Sequence, residues 1–197
     1  MNEIYLAGVM RNIQHSHSIG NVEYNKANLI VTRKDGKEDI INILFKSYNN
    51  AYEDNSRISL RGNIRSYSTK MDSRNKVDIY VFTHLDKVTD ELDVNNRCDL
   101  SGRICIINKM HKTSNGKPVI HFTLANNIIK GNKIINSYIP CVAWGKLAEI
   151  ISNYKVNDEI AISGELHSRE YRKMLNDSEY EIKVAHDLVI TEIKDEI

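Results

Sequence analysis

The chain has 197 residues, 41% hydrophobic and 27% charged, which is enough apolar content for one large core or two small ones and too much for a disordered polymer. Its 27 basic and 26 acidic residues leave a net charge of +1, so there is no molecule-wide cationic field and a polyanion must be met by a local patch. No apolar run approaches the ~18 to 20 residues of a membrane span, and MNEIYLAGVMRN lacks the basic start and long apolar centre of a signal peptide, so a cytoplasmic protein is expected.

In chain order, apolar alternation predicts strands at IYLAGVMRNI (4–13), NLIVTRK (28–34) and DIINILFK (39–46). The short segment NNAYED (49–54) follows, then strands at RISLRGNIRSY (57–67) and KVDIYVFTHL (76–85). His15 and His17 fall in a predicted loop, QHSHSIG; two histidines with no cysteine or carboxylate beside them are far short of a metal site. The polar, acidic stretch DKVTDELDVNNR (86–97) reads as a linker, which divides the chain into domains at 1–90 and 96–197.

Beyond the linker, CDLSGRICIINKMH (98–111) and VIHFTLANN (119–127) read as a hairpin turned by Asn115-Gly116. After the turn-like KGNK (130–133) comes the strand YIPCVAW (138–144), then GKLAEIISNY (145–154) with Leu147, Ile150, Ile151 and Tyr154 at helical spacing. EIAISGELHSREY (159–171) and YEIKVAHDLVITEI (180–193), joined across LNDS, close the set.

Four segments share one rule, an apolar residue, a spacer, glycine, a spacer and an apolar residue: LAGVM (6–10), LRGNI (60–64), LSGRI (100–104) and ISGEL (162–166). Gly8 and Gly62 are 54 residues apart, Gly102 and Gly164 are 62 apart, and Gly8 and Gly102 are 94 apart, for which a duplicated domain is the economical explanation. Glycine inside an apolar strand marks a bend or a close backbone approach, which lets a small sheet curl into a barrel. Five strands with a helix between the third and fourth match the OB-fold, a partly open Greek-key barrel. The expected fold is therefore all-β, two tandem OB-folds, each with a helix or short helical segment between strands 3 and 4.

In the second half, LSGRI, FTLA (122–125), AWGKLAE (143–149), ISGEL and the Arg169-x-Tyr171 pair stand in the order of the landmarks of the bacterial single-stranded DNA-binding protein family. This half resembles that family over nearly all of residues 98–191; the first half shares glycine positions but reads KSYNNAYED in place of GKLAE. The resemblance implies sequence-tolerant binding of single-stranded DNA during replication, recombination or repair, near the nucleoid. Two such domains in one chain resemble the tandem versions of the family, which implies a homodimer supplying four OB domains.

Alternate residues of a strand point to opposite faces, so Ile139, Cys141 and Ala143 suit the barrel interior while Tyr138, Pro140, Val142 and Trp144 point outward and need another partner. Nucleobases are apt partners, because every base has a π-face. In the resembled family the positions matching Tyr138, Trp144 and Tyr171 hold aromatics that stack on DNA. Arg103, Lys146, Arg169 and Arg172 lie on or beside the same strands as candidate phosphate contacts. Ile128, Ile129 and Lys130 replace an aromatic common in the family. Arg61, Arg65, Tyr67 and Phe45 occupy roughly corresponding places in the first half, which is expected to be chiefly a structural or dimerising barrel over which some DNA passes.

No nucleotide-binding, zinc-protease or hydrolase motif is present, so neither catalysis nor a cofactor is expected. Cys98, Cys105 and Cys141, odd in number and without C-x-x-C spacing, read as reduced structural thiols. The sequence stops at TEIKDEI directly after the last strand, without the glycine- and proline-rich tract and acidic tip by which cellular family members recruit partners. Two rival readings share this pattern: an OB-fold protein-interaction module whose outer face docks another protein, and an RNA-binding OB protein.

Overall fold

In β3 (Glu38–Lys46), Ile41, Ile43 and Phe45 are buried and Asn42 between them is half-buried, which is the period-2 rule by which most of this chain becomes strand. The computed structural model describes residues 1–47, 53–71, 74–87, 96–130, 133–174 and 179–194. The first half contains β1 (Asn2–Ile19), β2 (Val22–Thr32), β3, β4 (Arg57–Met71) and β5 (Arg74–Lys87). The second contains β6 (Asn96–Ile107), β7 (His111–Lys112), β8 (Pro118–Lys130), β9 (Lys133–Trp144), α1 (Lys146–Ile151), β10 (Glu159–Met174) and β11 (Tyr180–Lys194).

Each half closes on itself. In the first, the order β2-β3-β5-β4-β1 returns to β2; in the second, β8-β9-β11-β10-β6 returns to β8. Within these rings only β3–β5 and β9–β11 are parallel, through short contacts such as Leu188 opposite Cys141. The molecule is thus two tandem OB-folds.

The repeated glycines explain how the barrels close. A Cβ on Gly8, Gly62, Gly102 or Gly164 would lie within 2.6 Å of a carbonyl oxygen on the neighbouring strand, from Ile30, Phe82, Ala125 and Val189 respectively. Real Cβ atoms essentially never come so near, so these strands approach each other only because glycine has no side chain. Gly102→Ala should force β6 away from β8 and lower stability by about 1 to 3 kcal/mol, the usual cost of overpacking. A denaturant midpoint equal to that of the parent would refute this role.

Several expectations needed correction. QHSHSIG, apart from Gly20, is not a loop but the distal part of β1, which continues past register slips between Arg11 and Gln14 and between His15 and His17; His15 bonds Glu23, and His17 stacks on Tyr24. The strand expected over 98–111 breaks after Ile107, and the helix expected over 145–154 has six residues. Asn96 and Arg97, assigned to the linker, belong to β6. Residues 48–52, 88–95, 131–132 and 175–178, which include most of NNAYED and of the linker, Gly131 and LNDS, lie outside the described residues.

The halves meet about a pseudo-two-fold axis. β1 and β6 pair antiparallel with Asn2 opposite Leu100, Ile4 opposite Cys98 and Leu6 opposite Asn96. Since Gly8 corresponds to Gly102, Ile4 corresponds to Cys98, and this pair lies on the axis with both side chains fully buried. Such self-complementary pairing is the pattern of an isologous interface between two copies, here built into one chain. Two asparagines repeat it. Asn2 bonds the N–H and C=O of Ile64 through its side-chain amide, and Asn96 does the same to Leu166.

Farther out, the Ile40 N–H donates to Ser168 Oγ at 2.9 Å, and the Tyr138 N–H donates to Ser66 Oγ at 2.7 Å. The symmetry breaks next to these. Fully buried Asp39 accepts from Arg33 Nε at 2.6 Å and from the Ser168 N–H at 2.5 Å, whereas the corresponding Ser137 has a buried hydroxyl with no partner among the described residues.

His186, buried on β11, donates from Nε2 to the Ile40 carbonyl at 2.7 Å, and burial holds its pKa below the ordinary 6.5. The unfolded chain therefore takes up this proton at higher pH than the folded one. The stability that neutral His186 contributes is present above about pH 6.5 and declines as pH falls from there toward the depressed folded value. His186→Gln should flatten urea midpoints measured between pH 7.5 and pH 5.5 relative to the parent.

Candidate nucleic-acid interface

The outward residues of β8 and β9 form one lattice. Register places Ala125 opposite Tyr138, Thr123 opposite Pro140, His121 opposite Val142 and Val119 opposite Trp144. β6 extends the first two rows, since Arg103 lies opposite Ala125 and Ile106 opposite Thr123, after a bulge between Ile104 and Ile106. Arg103, Ala125 and Tyr138 therefore form a row across three strands, roughly 10 Å from first to last at the usual strand spacing.

Exposure along the lattice is uneven. Tyr138 is 43% exposed, Trp144 37% and Ile106 55%, while Val119 and Val142 are buried. Val142 was expected to need an outside partner; instead it is covered within the chain. The outer face therefore offers rings at two separated places, not a continuous apolar strip.

Trp144 is held by its neighbours. Gly145 follows at φ 59, ψ −130, a backbone conformation essentially reserved for glycine, and turns the chain from β9 directly into α1. Lys146 is exposed at the first residue of that helix. Opposite, the Asn115-Gly116 turn, with Gly116 at φ 76, returns the hairpin so that Lys117 Nζ stands 5.6 Å from the centre of the indole. His111 stacks on His121 at 6.2 Å between centroids beside this end. Lys117, His111, His121 and Ile106 were missed from sequence, although the turn that Asn115-Gly116 specifies fixes Val119 opposite Trp144 once the β9 boundary is known.

The β10–β11 arm brings a third ring. Arg169 and Tyr171 line a cleft of about 310 Å³ with Pro140 of β9 and with Val77, Asp78 and Ile79 of the first half. Tyr171 thus shares the outward side of β9 and is 39% exposed. Arg172, although adjacent in sequence, points to the other face of the arm, where its guanidinium lies 4.8 Å over Tyr180 near exposed Met174 and Ile182. A single strand lying on Tyr138, Trp144 and Tyr171 reaches Arg172 only by wrapping over the arm.

Two of the arginines are engaged. Arg103 pairs with Glu159, and Arg169 Nε donates to Asp187 at 2.9 Å. Both guanidinium groups are more than half exposed, and surface pairs of this kind contribute about 0 to 1 kcal/mol, so a phosphate can compete for them. In the first half, Phe45 is core, Arg61 pairs with Glu3, Arg65 lies 4.6 Å over the Phe82 ring, and exposed Tyr67 meets Tyr80 edge-on at 5.6 Å. Phe45 is therefore withdrawn as a surface residue: it belongs to the inward row of β3.

Burial pushes the Cys98 thiol up to about 12 and raises those of Cys141 and Cys105, which keeps all three protonated. Among the described residues no cluster of three or more metal-ligating side chains occurs, and no helix is long and apolar enough to cross a membrane.

Two joined OB barrels, one bearing a ring- and lysine-lined outer face, define a tandem OB-fold binding protein. Residues 95–191 match the model of the single-strand binding protein family, to which this part of the chain is similar. Members of that family are non-enzymatic DNA-binding proteins. No curated protein matches the sequence. Among solved structures, the chain is similar to the wild-type single-stranded DNA binding protein from Thermus aquaticus, with 15% identity, a TM-score of 0.74, and coverage of 98% of this chain and 92% of that one. A deletion and substitution mutant of the same protein aligns at 16% identity and a TM-score of 0.75, covering 100% and 95%. At such identity these two matches show the shared tandem fold.

Proposed function

We propose that the protein binds single-stranded DNA without sequence preference, holding bases on Trp144, Tyr138 and Tyr171 and phosphates on Arg103, Lys117, Lys146 and Arg169, with Arg172 reached by a strand that wraps the arm. The observation that carries this reading is the exposed indole at the end of β9 with an ammonium group over it, in a domain that matches the single-strand binding protein family. Stacking is worth roughly 1 to 3 kcal/mol per base and ignores base identity, and cations beside it add an affinity that falls with salt. A duplex hides its base faces and is expected to bind far more weakly.

Shielding exposed strands in replication, recombination or repair is the role this binding serves. A homodimer would present four barrels to one strand. Because Trp144 is the only tryptophan, its fluorescence reports on the site directly. Titration with a dT oligomer should quench it, reversibly with salt; full emission at saturating oligomer in dilute buffer would overturn the assignment. Sedimentation of the free protein at twice the chain mass would support the dimer.

A further inference from the structure

A long stretch of the second barrel is free of acid. From Leu100 to Ala148 the chain contains no aspartate or glutamate, whereas the corresponding stretch of the first barrel, 6–54, contains six. In a chain of net charge +1 this gathers cations around β7, β8 and β9 without carboxylates to pair with them. Lys109, Lys112, Lys117 and Lys146 are exposed there, and none of the four forms an ion pair among the described residues.

Two histidines lie inside this field. His111 of β7 is opposite Val119, which is opposite Trp144, so the three form a row across three strands, roughly 10 Å from end to end at the usual spacing. His121, two residues beyond Val119, shares its side of β8, and its ring stacks on that of His111 at 6.2 Å between centroids with 12° between planes. His111 is exposed and His121 half-buried. The charges that surround the pair come from every neighbouring element. Lys109 precedes β7, Lys112 belongs to it, Lys117 ends the turn into β8, and α1 brings Lys146 and Glu149. Glu149 is the single carboxylate among them and lies one helical turn past Lys146. β6 and β9 bring no charge to this end: Arg103 stands farther along the lattice, paired with Glu159, and Lys133 is opposite Lys130 at the far tip.

The first barrel shows how imidazoles are placed where acid is present. Gly8 approaches the Ile30 carbonyl as Gly102 approaches that of Ala125, so Ile30 corresponds to Ala125, Tyr24 to Val119 and, opposite these, His17 to His111. His17 stacks on Tyr24 at 4.9 Å with 7° between planes, Tyr24 meets Phe82 at 6.2 Å, and neighbouring His15 is bonded to Glu23. The middle rows differ as well. Ile106, Thr123 and Pro140 have Asn12, Asn28 and Asn42 as counterparts, and these form an amide ladder in which Asn12 Nδ2 donates to Asn28 Oδ1 and Asn28 Nδ2 donates to Asn42 Oδ1, each at 3.2 Å. In the second barrel, by contrast, no carboxylate pairs with His111 or His121 among the described residues.

We propose that His111 and His121 form a phosphate subsite beside the indole, one that makes the binding of single-stranded DNA proton-linked. Histidine is the side chain that ordinarily gains charge between about pH 8 and pH 5, and a phosphate favours the charged ring. With no carboxylate at hand, a phosphate of the bound strand is the anion that stabilises a proton on these rings. Linkage is reciprocal, so if the strand favours protonation, protonation favours the strand. The complex then holds more protons than the free protein, and affinity rises as pH falls. His186 acts in the opposite sense: a proton on that buried ring loosens the seam beneath the arm, which weakens binding on acidification. The proposal rests on the reading of the second barrel as a single-strand site.

The test uses the full chain and a dT oligomer of about 12, within the roughly 4 to 16 nucleotides that one OB domain covers; thymine gains no charge in this pH range. Anisotropy of the labelled oligomer gives affinity, and Trp144 emission is read alongside. Between about pH 8 and about pH 5.5 at fixed salt, the parent should tighten about three- to tenfold, the worth of two exposed charge contacts. Its slope of log K against log salt should steepen by about 0.7 to 1.4, one or two single-strand phosphates' worth.

His111→Gln/His121→Gln keeps polarity without the charge. It should bind as the parent does at the higher pH and lose the gain at the lower. His111→Lys carries its charge at both pH values, so it should bind more tightly than the parent at the higher pH and vary less between the two. A glutamine pair that melts like the parent and tightens equally on acidification would overturn the subsite while leaving Trp144 quenching, and the stacking site, in place. Parent-like affinity of His111→Lys at the higher pH would overturn it too. If the pH gain disappears in the glutamine pair but Trp144 is not quenched in the parent, the subsite stands and the stacking reading falls. No anisotropy change at either pH removes both.

Discussion

Trp144→Ala is expected to weaken binding of a dT oligomer by roughly five- to 150-fold, the equivalent of the 1 to 3 kcal/mol that one stacked base contributes. The loss should be nearly independent of salt, because the indole acts through its π-face and the neighbouring Lys117 and Lys146 remain. Lys117→Ala, by contrast, should reduce the salt slope by about 0.7, as one phosphate contact on a single strand does. Trp144 is more than a third exposed and outside the core cluster, so the variant should unfold at close to the parent's denaturant midpoint. Unchanged affinity at low salt in a folded Trp144→Ala protein would mean that the indole does not carry base contact.

The second large effect is on stability. Asp39→Ala is expected to cost about 3 to 5 kcal/mol, because it strands the Arg33 guanidinium, itself only 21% exposed, and the Ser168 N–H at the seam between the barrels. Removing both charges should recover part of that loss, since Arg33→Ala/Asp39→Ala leaves no unpaired ion behind. Urea denaturation of the two single variants and the double variant measures this coupling. Additive losses would show that Asp39 serves the Ser168 N–H alone. Because Ser168 is on β10, immediately before Arg169 and three residues before Tyr171, loosening this seam should also shift the arm and weaken DNA binding beyond the loss of stability.

The unequal halves of a repeated fold account for both expectations. A symmetric pair of barrels would carry two equal faces and two equal seams. Here the seam is ionic at Asp39 and merely hydroxylic at Ser137, and the outer faces differ row by row: Ile106, Thr123 and Pro140 on one, three asparagines on the other. Once the β1–β6 ladder holds the halves together, each face can change its chemistry without dissolving the pair.

How much of this was legible beforehand follows from which interactions are local. Strand periodicity, the Asn115-Gly116 turn, the four glycine pentapeptides and the helix after Trp144 depend on residues within a few positions of one another, and they sufficed for two tandem OB-folds. The inward row of β9, Ile139, Cys141 and Ala143, was likewise readable from alternation, and all three are buried. The outward row was not, because exposure on that side depends on neighbouring strands: Val142 is covered and Trp144 is not, though both have the same parity.

The placements that went astray share a cause. Phe45 looked like a surface ring because it was matched by position to the second half, although its own parity with Ile41 and Ile43 puts it inward, and Tyr171 and Arg172 looked like one cluster because adjacency in sequence hides their opposite directions on the arm. Lys117 over Trp144 joins a turn to a strand, and the amide ladder and the Asp39 seam each join residues from different strands. The amino-acid order alone determined the two barrels and the ring that ends β9, because local geometry dictates both. Tertiary structure alone decided which faces are open, which charges are already paired and how the halves differ, because those properties exist only after distant strands have been set in register.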